Sequence, residues 1–541
     1  MAIVKQLDKR SGITYAYESV SHWDKEKKQS RATRKLIGRV DDATGEIIAT
    51  DGRCRANHEE GEIKVRSARG RKPSLSVSRK FFGATYLLDR IGKKIGITED
   101  LKACFPDSYR MILSIAYYLI LEEDSPLFRF GRWGHLHRHP YGEDIASQRS
   151  SELFASITEE QKQAFFRLQG RRRVKDEYWA YDSTSISSHS ESLRQLRFGK
   201  NKDGDRLPQL NLLLLFGEKS NLPFYYRKLA GHVPDVKTLR VLLRDLDVLG
   251  YPKVKLVTDR GFYSHDNVNG LYQHRIKFLM SASTSLTFIK SAIESQKDRM
   301  TDWSRYSAKY DLYTYCKPME WDYSQVRPNK GDTLKEGRRM YLHLYYNADR
   351  AVEDSRAFNK RMAILHQELS SGKPKAQHEK DYEKYFEVKK TPVRGIQVKA
   401  KQEAMDQAQM RFGYFALLSN EIKSSETALE IYRNKDVVEK AFGNIKQRLN
   451  GKRMLVSSEA SLEGKLFVEF IALIFLSYLT KQMSEKNLFQ KYTLQGLLDE
   501  IDLIECFEEP GKALYIGEIL QKQRQIFDEM DIIPPNVVSS L

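Results

Sequence analysis

The segments WAYDSTS at residues 179–185 and LLLLFG at residues 212–217 decide the fold class. The first is a β-prone run, and the second is a continuous apolar strand that ends at a glycine. Further strands are predicted at 222–229 and 254–258, with a helix between them that Asp235 caps and Gly250 ends. This order of strand, strand, strand, helix and strand predicts a mixed α/β sheet rather than a repeating βαβ chain.

Length and charge narrow the class of protein. The 541 residues exceed what one core can hold, because single cores stop growing at about 250–300 residues. The 90 Lys and Arg against 72 Asp and Glu give a net charge of +18, which indicates a polyanionic partner such as nucleic acid. Four scattered cysteines exclude a disulfide framework and indicate a reducing compartment. The longest apolar stretch, 466–479, contains Glu469 and predicts a buried helix and no membrane partner.

The pattern divides the chain into six segments. Residues 1–80 hold 19 Lys or Arg and 11 Asp or Glu, with short β runs, a turn at 41–45 and a basic tract at 66–73, and they predict a β-rich DNA-binding module. We expect the rest to divide into a helical domain with DNA contacts at 81–172, the first part of the core at 173–290, a β-rich insertion at 291–411, the second part of the core at 412–485, and a C-terminal helical region at 486–541 that is a candidate for dimerisation.

Alternating histidines occupy positions 135, 137 and 139 in a basic segment. Three imidazoles could bind zinc, but no fourth ligand lies nearby in the sequence. The pattern therefore predicts a solvated loop.

Two acidic residues stand out by their place in strands. Asp182 lies in the middle of a strand otherwise suited to burial, where a carboxylate is costly unless a cation or hydrogen bonds satisfy it. Asp259 ends the fourth strand, and carboxylates at strand ends of an open α/β sheet face a common crevice. A turn-forming or capping role for a strand-terminal aspartate is the ordinary alternative.

A helix predicted from Ser425 to about Leu449 supplies the third acid, Glu439. Tyr432, Lys435, Glu439 and Lys446 fall near 0°, −60°, −20° and −40° at about 100° per residue, so they share one stripe. The alternative is a solvated face on which Lys435 and Glu439 form an ordinary i,i+4 ion pair.

Two aspartates from adjacent strands and a glutamate from a flanking helix can hold two divalent ions. Hard oxygen ligands favour Mg²⁺ or Mn²⁺, with phosphate oxygens and water completing the coordination. One ion would activate a water or a DNA 3′-hydroxyl and the other would stabilise the leaving oxygen. The three acids therefore predict phosphodiester chemistry on a polyanion.

The helix motif resembles that of bacterial insertion-sequence DDE transposases, in the branch with the signature Y-x2-R-x3-E-x6-K. The sequence reads Tyr432-x2-Lys435-x3-Glu439-x6-Lys446, with lysine in place of the arginine of the signature. Lysine keeps the charge but loses the bidentate fork of arginine. The first motif of the family, an aspartate followed two residues later by threonine, matches Asp182 and Thr184, and the second, D-R/K-G-F/Y, matches Asp259-Arg260-Gly261-Phe262.

The resemblance implies an RNase H-like core that cuts the terminal inverted repeats of an element and joins the 3′-OH ends to target DNA, often through a hairpin. It implies catalysis and metal binding by Asp182, Asp259 and Glu439, with DNA contacts from Tyr432, Lys435, Lys446 and Arg260. It also implies double-stranded DNA as partner, a synaptic homodimer, and a bacterial cytoplasmic location with the nucleoid. A tryptophan of the insertion often stacks on a flipped base. Trp303 and Trp321 are the candidates, although each is also a candidate core residue.

Two alternative functions remain open. One is an RNase H-like endonuclease of repair or recombination that uses the same carboxylates without strand transfer. The other is a catalytically inactive DNA-binding protein derived from a transposase. Short inverted repeats around the reading frame would favour the mobile element over both.

Overall fold

The computed structural model describes residues 2–25, 27–49, 77–172, 177–190, 192–251, 253–327, 331–391, 395–449, 451, 456, 458–509 and 513–535. The chain separates into two compact units, Met1–Ser74 and Leu75–Leu541. The basic tract predicted at 66–73 lies outside the described residues.

The first unit is a four-stranded antiparallel sheet in the order β1-β2-β3-β4. Its strands are β1 (Ala2–Leu7), β2 (Thr14–Asp24), β3 (Gln29–Val40) and β4 (Ile47–Ile48). Among its described residues only Ala16 and Gly38 are buried, so the sheet has almost no interior of its own. Hydrogen bonds between Asp41 and residues 45 and 46 form the predicted turn.

The strands of the second unit follow the predicted mixed pattern, and this prediction is confirmed. They are β5 (Ser78–Phe81), β6 (Trp179–Ser187), β7 (Gln209–Gly217), β8 (Pro223–Ala230), β9 (Lys255–Thr258), β10 (Lys277–Ala282), β11 (Tyr306–Ser307), β12 (Leu312–Arg327), β13 (Asp332–Tyr346), β14 (Phe386–Thr391), β15 (Gly395–Ala400), β16 (Tyr414–Ser419), β17 (Glu505–Glu508) and β18 (Tyr515–Ile516). Nine of them form one sheet in the order β11-β12-β13-β16-β10-β9-β6-β7-β8. The β9 strand runs parallel to β6 and to β10, and the other pairs are antiparallel.

Helices cover this sheet and bury both faces of the strands that position the site. All nine residues of β6 and all nine of β7 are buried. The helices are α1 (Gly83–Lys94), α2 (Ile97–Cys104), α3 (Tyr109–Leu121), α4 (Phe130–Leu136), α5 (Ser147–Ser156), α6 (Glu159–Arg172), α7 (Asp235–Leu249), α8 (His265–Gln273), α9 (Thr287–Gln296), α10 (Ala348–Ser370), α11 (Glu379–Tyr385), α12 (Gln402–Gln409), α13 (Ser425–Asn434), α14 (Asp436–Gly443), α15 (Glu459–Glu485), α16 (Leu494–Asp502) and α17 (Gln521–Glu529).

The helix α15 is the centre of the helical part. It packs against α3, α5 and β8, and every residue from 466 to 479 is buried, as the apolar stretch predicts. None of the described helices has the length and apolar character needed to cross a bilayer.

Two domain boundaries differ from the predicted ones. The β5 strand pairs with β17, so it belongs to the second unit although it lies inside the predicted module 1–80. Most strands of the predicted insertion 291–411 are not separate from the core, because residues 341–346 of β13 pair with residues 414–419 of β16 and so join β11, β12 and β13 to the core sheet. The rest of the segment contains the separate β14–β15 hairpin, the helices α10, α11 and α12, and a small apolar cluster around Leu365 and Tyr385.

The predicted solvated histidine loop is wrong for two of its three residues. His137 and His139 are buried, and the His137 ring stacks on Trp133 at 4.6 Å between centroids. Nε2 of His137 lies 2.8 Å from an oxygen of Asp502, and Nδ1 of His139 lies 3.0 Å from Oγ of Ser114. Packing and hydrogen bonds from other segments hold these two rings in the interior.

Glu469 carries a carboxyl group into the middle of the α15 core. Its side chain is 2% exposed, neither oxygen has a hydrogen-bond partner, and Nζ of Lys465 lies 3.7 Å away. Burial raises the pKa of this carboxyl from an ordinary 4.5 to about 7. The ionised form is therefore more costly in the folded protein than in the unfolded chain.

We expect Glu469→Gln to stabilise the protein at neutral and higher pH. Near pH 4 the carboxyl is mostly protonated in both states, so the variant gains little. As pH rises from about 4.5 to 7 the unfolded chain ionises first, so the native protein loses up to about 3 kcal/mol that the amide does not lose. Thermal midpoints compared near pH 8 and pH 4 test this, with Glu485→Gln at the exposed end of α15 as the control. An equal shift at both pH values would contradict the assignment.

Candidate active site

Two neighbouring parallel strands bring the first two carboxylates together. In the β6–β9 pair Tyr181 lies opposite Thr258. Asp182 is the next residue of β6 and Asp259 is the first residue after β9, so the two carboxylates lie at the same level, where the β6–β9 pairing ends.

The third carboxylate comes from the predicted signature helix, which the structure divides into α13, α14 and a π-helical turn at Asn444–Arg448. Lys435 lies at the junction of α13 and α14, and Glu439 lies one turn later. The helix α14 packs against β6 and β7, which brings this turn over the sheet edge. The exposed fraction of the side chain rises from 11% for Asp182 to 40% for Asp259 and 64% for Glu439, so the site opens to solvent at Glu439.

The ammonium group of Lys435 lies among the three carboxylates. Its Nζ is 3.6 Å from Oδ2 of Asp182, 3.8 Å from Oδ2 of Asp259 and 3.8 Å from Oε1 of Glu439. The side chain is 3% exposed, and Nζ has no hydrogen-bond partner. The expected i,i+4 pair with Glu439 is thus present, but it is one contact of a cluster and not a solvated pair.

A second lysine reaches the site from the β6–β7 loop. Nζ of Lys202 donates to the carbonyl oxygen of Ser183 at 2.7 Å and to its Oγ at 2.6 Å, and lies 3.1 Å from Oδ2 of Asp235 and 3.9 Å from Oδ1 of Asp182. The sequence predicts that Asp235 caps α7, but its side chain makes no capping hydrogen bond. Oδ1 of Asp235 instead accepts a hydrogen bond from Oγ of Ser183 at 2.5 Å. Sequence reasoning missed Lys202, since an irregular loop has no periodic signal, and missed this use of Asp235, since its partner Ser183 is far away in the sequence.

Burial and neighbouring charges act in opposite directions on Asp182. Burial raises the pKa of this carboxyl, while Lys435, Lys202 and the backbone N–H of Ser183 oppose the rise. That N–H donates to Oδ1 at 2.7 Å. A divalent ion would favour the charged carboxylate in the same way as the two ammonium groups.

Tyr432 holds the second carboxylate in place. Its hydroxyl donates to Oδ1 of Asp259. Burial, with Asp259 as the next cause, raises the pKa of Tyr432 well above its ordinary value, so the hydroxyl keeps its proton. Of the predicted site residues, the structure thus brings Lys435 together with all three acids and Tyr432 together with Asp259.

The two remaining predicted residues lie at the rim. Lys446 follows in the π-helical turn, and its Nζ lies 2.6 and 2.7 Å from the two carboxylate oxygens of Asp203, next to Lys202 in the loop. Arg260 follows Asp259 and is exposed. A phosphate that bound Lys446 would have to replace Asp203.

The three carboxylates supply the oxygen donors that a hard divalent cation prefers, although they surround an ammonium group. Within the described ranges no group of three or more Asp, Glu, His or Cys side chains is arranged to hold a metal ion. Three carboxylates around one buried cation without hydrogen bonds nevertheless form an environment that requires positive charge. Asp182, Asp259 and Glu439 are therefore the residues that could hold Mg²⁺ or Mn²⁺.

The two tryptophans of the insertion have different environments. Trp321 is buried, and its Nε1 donates to Oδ1 of Asn269 at 2.9 Å. Trp303 is 80% exposed and stacks on Tyr306, with 5.2 Å between ring centroids and 20° between planes. Trp321 is thus a core residue, and Trp303 presents an aromatic face to solvent.

A carboxylate cluster at the edge of a mixed sheet defines the class of site, and comparison with known proteins gives the family. The family described as "Transposase DDE domain" matches residues 175–475. This is more than half of the 541 residues, and the chain belongs to this family of DNA transposases. Asp182, Asp259 and Glu439 all lie within the matched segment.

One solved structure with similarity to the chain is a piggyBac transposase synaptic complex with hairpin DNA. The two are 11% identical with a TM-score of 0.32, over 84% of this chain and 77% of that chain. No curated protein matches the chain.

Proposed function

We propose that the protein is the cut-and-paste transposase of an insertion sequence, with an RNase H-like core of the Y-x2-R-x3-E-x6-K branch. It would bind the terminal inverted repeats, cleave them and join the 3′-OH ends to target DNA. The observation that carries the proposal is the convergence of Asp182, Asp259 and Glu439 on one buried ammonium within the family segment. Bringing three carboxylates from separated positions close together costs electrostatic free energy. Clusters of this kind are typical of functional sites.

Two Mg²⁺ or Mn²⁺ ions, held by these carboxylates when bound, would activate the attacking hydroxyl and stabilise the leaving oxygen. The chain fixes the carboxylates for this role. The N–H of Ser183 orients Asp182, and the hydroxyl of Tyr432 orients Asp259. Glu439 is the most exposed of the three, so the scissile phosphate would approach from its side.

DNA would be held by cations around the opening. Arg260 is exposed beside Asp259, and Lys446 would exchange Asp203 for a phosphate oxygen. The exposed face of Trp303 suits a base turned out of the duplex, since base–aromatic stacking contributes about 1–3 kcal/mol. Cleavage through a hairpin, as the resemblance implies, would use such a platform.

The resemblance also supports a homodimer in the synaptic complex and action in a bacterial cytoplasm with the nucleoid. Sedimentation of the protein with two end duplexes would test the dimer. One protomer per two ends would contradict it.

Neutral isosteres of the three acids test the chemistry. We expect Asp182→Asn, Asp259→Asn and Glu439→Gln to bind element ends normally but to lose Mg²⁺-dependent nicking by about a thousandfold or more. The assay is purified protein with labelled element ends and target plasmid, resolved on a denaturing gel. Glu430→Gln, on the exposed side of α13, is the matched control and should cleave normally.

Nicking that survives all three changes would refute the site. Ends that are nicked but never joined by the native protein would favour the endonuclease. Uncleaved ends with normal binding would favour an inactive DNA-binding protein.

The first unit supplies a basic surface for sequence-independent contact. Its β3 strand exposes Arg31, Arg34 and Lys35, and Trp23 is exposed on β2. A sheet with almost no interior gains little from internal packing, and DNA would cover the cationic strand. We propose that this unit, Met1–Ser74, contacts DNA.

Replacing Arg31, Arg34 and Lys35 together with Gln should weaken binding to a DNA duplex. Each lost phosphate contact removes about one counterion from the salt dependence, so the slope of log affinity against log salt should fall by up to about 3. Fluorescence anisotropy over a salt series measures both quantities. Unchanged affinity and slope in a folded variant, checked by circular dichroism, would refute this role.

A further inference from the structure

We infer that Lys435 is a positioning residue whose ammonium group is the resting counter-ion of the three catalytic carboxylates, and that it must move away when divalent metal binds. This inference rests on the proposed function, because it takes these carboxylates to be the metal ligands. It assigns Lys435 a role before DNA arrives, in addition to a phosphate contact.

The first argument is the environment of the ammonium. A lysine that is 3% exposed and makes no hydrogen bond is costly to keep charged. Its partners are three carboxylates at 3.6 to 3.8 Å, which are ion-pair distances without hydrogen-bond geometry. Such a central position is explained by charge: Nζ lies where three negative groups are best neutralised together.

The second argument is that carboxylates without a cation repel one another. Like charges a few ångströms apart disfavour their shared ionised state. Lys202 offsets only part of this repulsion, since it reaches Asp182 at 3.9 Å and contacts neither Asp259 nor Glu439 among the described ion pairs. Among the described residues, Lys435 is the cation that contacts all three acids, so it offsets their mutual repulsion in the absence of metal.

The third argument is competition for the same oxygens. A divalent ion bonds carboxylate oxygens at about 2.0–2.2 Å and repels a nearby ammonium. Asp182 Oδ2, Asp259 Oδ2 and Glu439 Oε1 cannot satisfy both cations at full strength. Metal binding to the protein alone is therefore weakened by the work of displacing Nζ from these carboxylates.

DNA changes this balance. The flexible four-carbon stem of lysine lets a displaced ammonium reach a new anion. A backbone phosphate at the site offers that anion, so DNA lowers the cost of displacement. Metal and DNA should then bind with positive coupling, and the coupling is reciprocal. Lys435 thereby delays metal loading until the substrate is present.

The test measures Mn²⁺ and Mg²⁺ affinity of the full-length protein by titration calorimetry, with Mn²⁺ paramagnetic resonance as a second readout. The variants are Lys435→Met and Lys435→Gln, which remove the charge, and Lys435→Arg, which keeps it. Lys440→Met, an exposed lysine of α14 outside the cluster, is the matched control. Each protein is titrated alone and with a short DNA duplex.

We expect the two neutral variants to bind metal about tenfold or more tightly than the native protein without DNA, with Lys435→Arg and the control unchanged. DNA should tighten metal binding about tenfold in the native protein and in the control, and hardly at all in the neutral variants. Damage to the fold would weaken metal binding, so an increase in affinity is not an effect of disruption.

Equal or weaker metal binding by both neutral variants would overturn the inference, as would coupling to DNA that persists without the charge. Asp182→Asn, Asp259→Asn and Glu439→Gln separate this failure from that of the proposed function. If these three variants lose metal affinity but the Lys435 substitutions leave it unchanged, only the counter-ion role is refuted. Metal affinity that none of the three affects refutes the proposed site itself.

Discussion

The structure of the site depends on how one positive charge offsets the mutual repulsion of three negative ones. Asp182, Asp259 and Glu439 come from distant parts of the chain and meet around Nζ of Lys435. The favourable contribution to the free energy of this cluster is electrostatic attraction at short range, in a site from which water is partly excluded. The unfavourable terms are burial of Asp182 and of the ammonium itself. Such a cluster is tolerated where function requires it and where the surrounding fold is rigid.

The rigidity comes from the sheet and its helical cover. Parallel pairing of β6 with β9 fixes the two aspartates side by side, because a slip of one residue would turn each side chain to the opposite face. The fully buried strands β6 and β7 lock that register. The helix α14 packs on the same strands and sets Glu439 over their edge. The three carboxylates are thus positioned by elements that are themselves buried in the fold.

Local features of the chain were predictable. Continuous apolar runs predict β7 and α15. The predicted strands place Asp182 within one strand and Asp259 at the end of another. Helical spacing predicts Tyr432, Lys435 and Glu439 on one side of the helix, and all three side chains lie at the carboxylate cluster. Lys446 lies within a π-helical turn, where the ideal α-helical angle of about 100° per residue no longer applies.

Features that depend on distant partners were not predictable. Spacing gives the side of a helix on which Lys435 lies, but only packing of α14 on the sheet buries it. Lys202 and Asp203 belong to an irregular loop, and the pairing of β13 with β16 joins segments separated by most of the insertion. His137 and His139 are buried for the same reason, by residues far away in sequence.

The most direct test of the central claim replaces Mg²⁺ with Fe²⁺, which binds similar oxygen ligands, in the native protein with DNA. Added hydrogen peroxide oxidises the bound Fe²⁺ and yields hydroxyl radicals, ascorbate returns the iron to Fe²⁺, the radicals cut the nearby backbone, and mass spectrometry locates the cuts. Three carboxylates around a common metal site predict cuts clustered near residues 182, 259 and 439, suppressed by excess Mg²⁺. Cuts confined to other segments, or near one of the three alone, would contradict a shared metal centre.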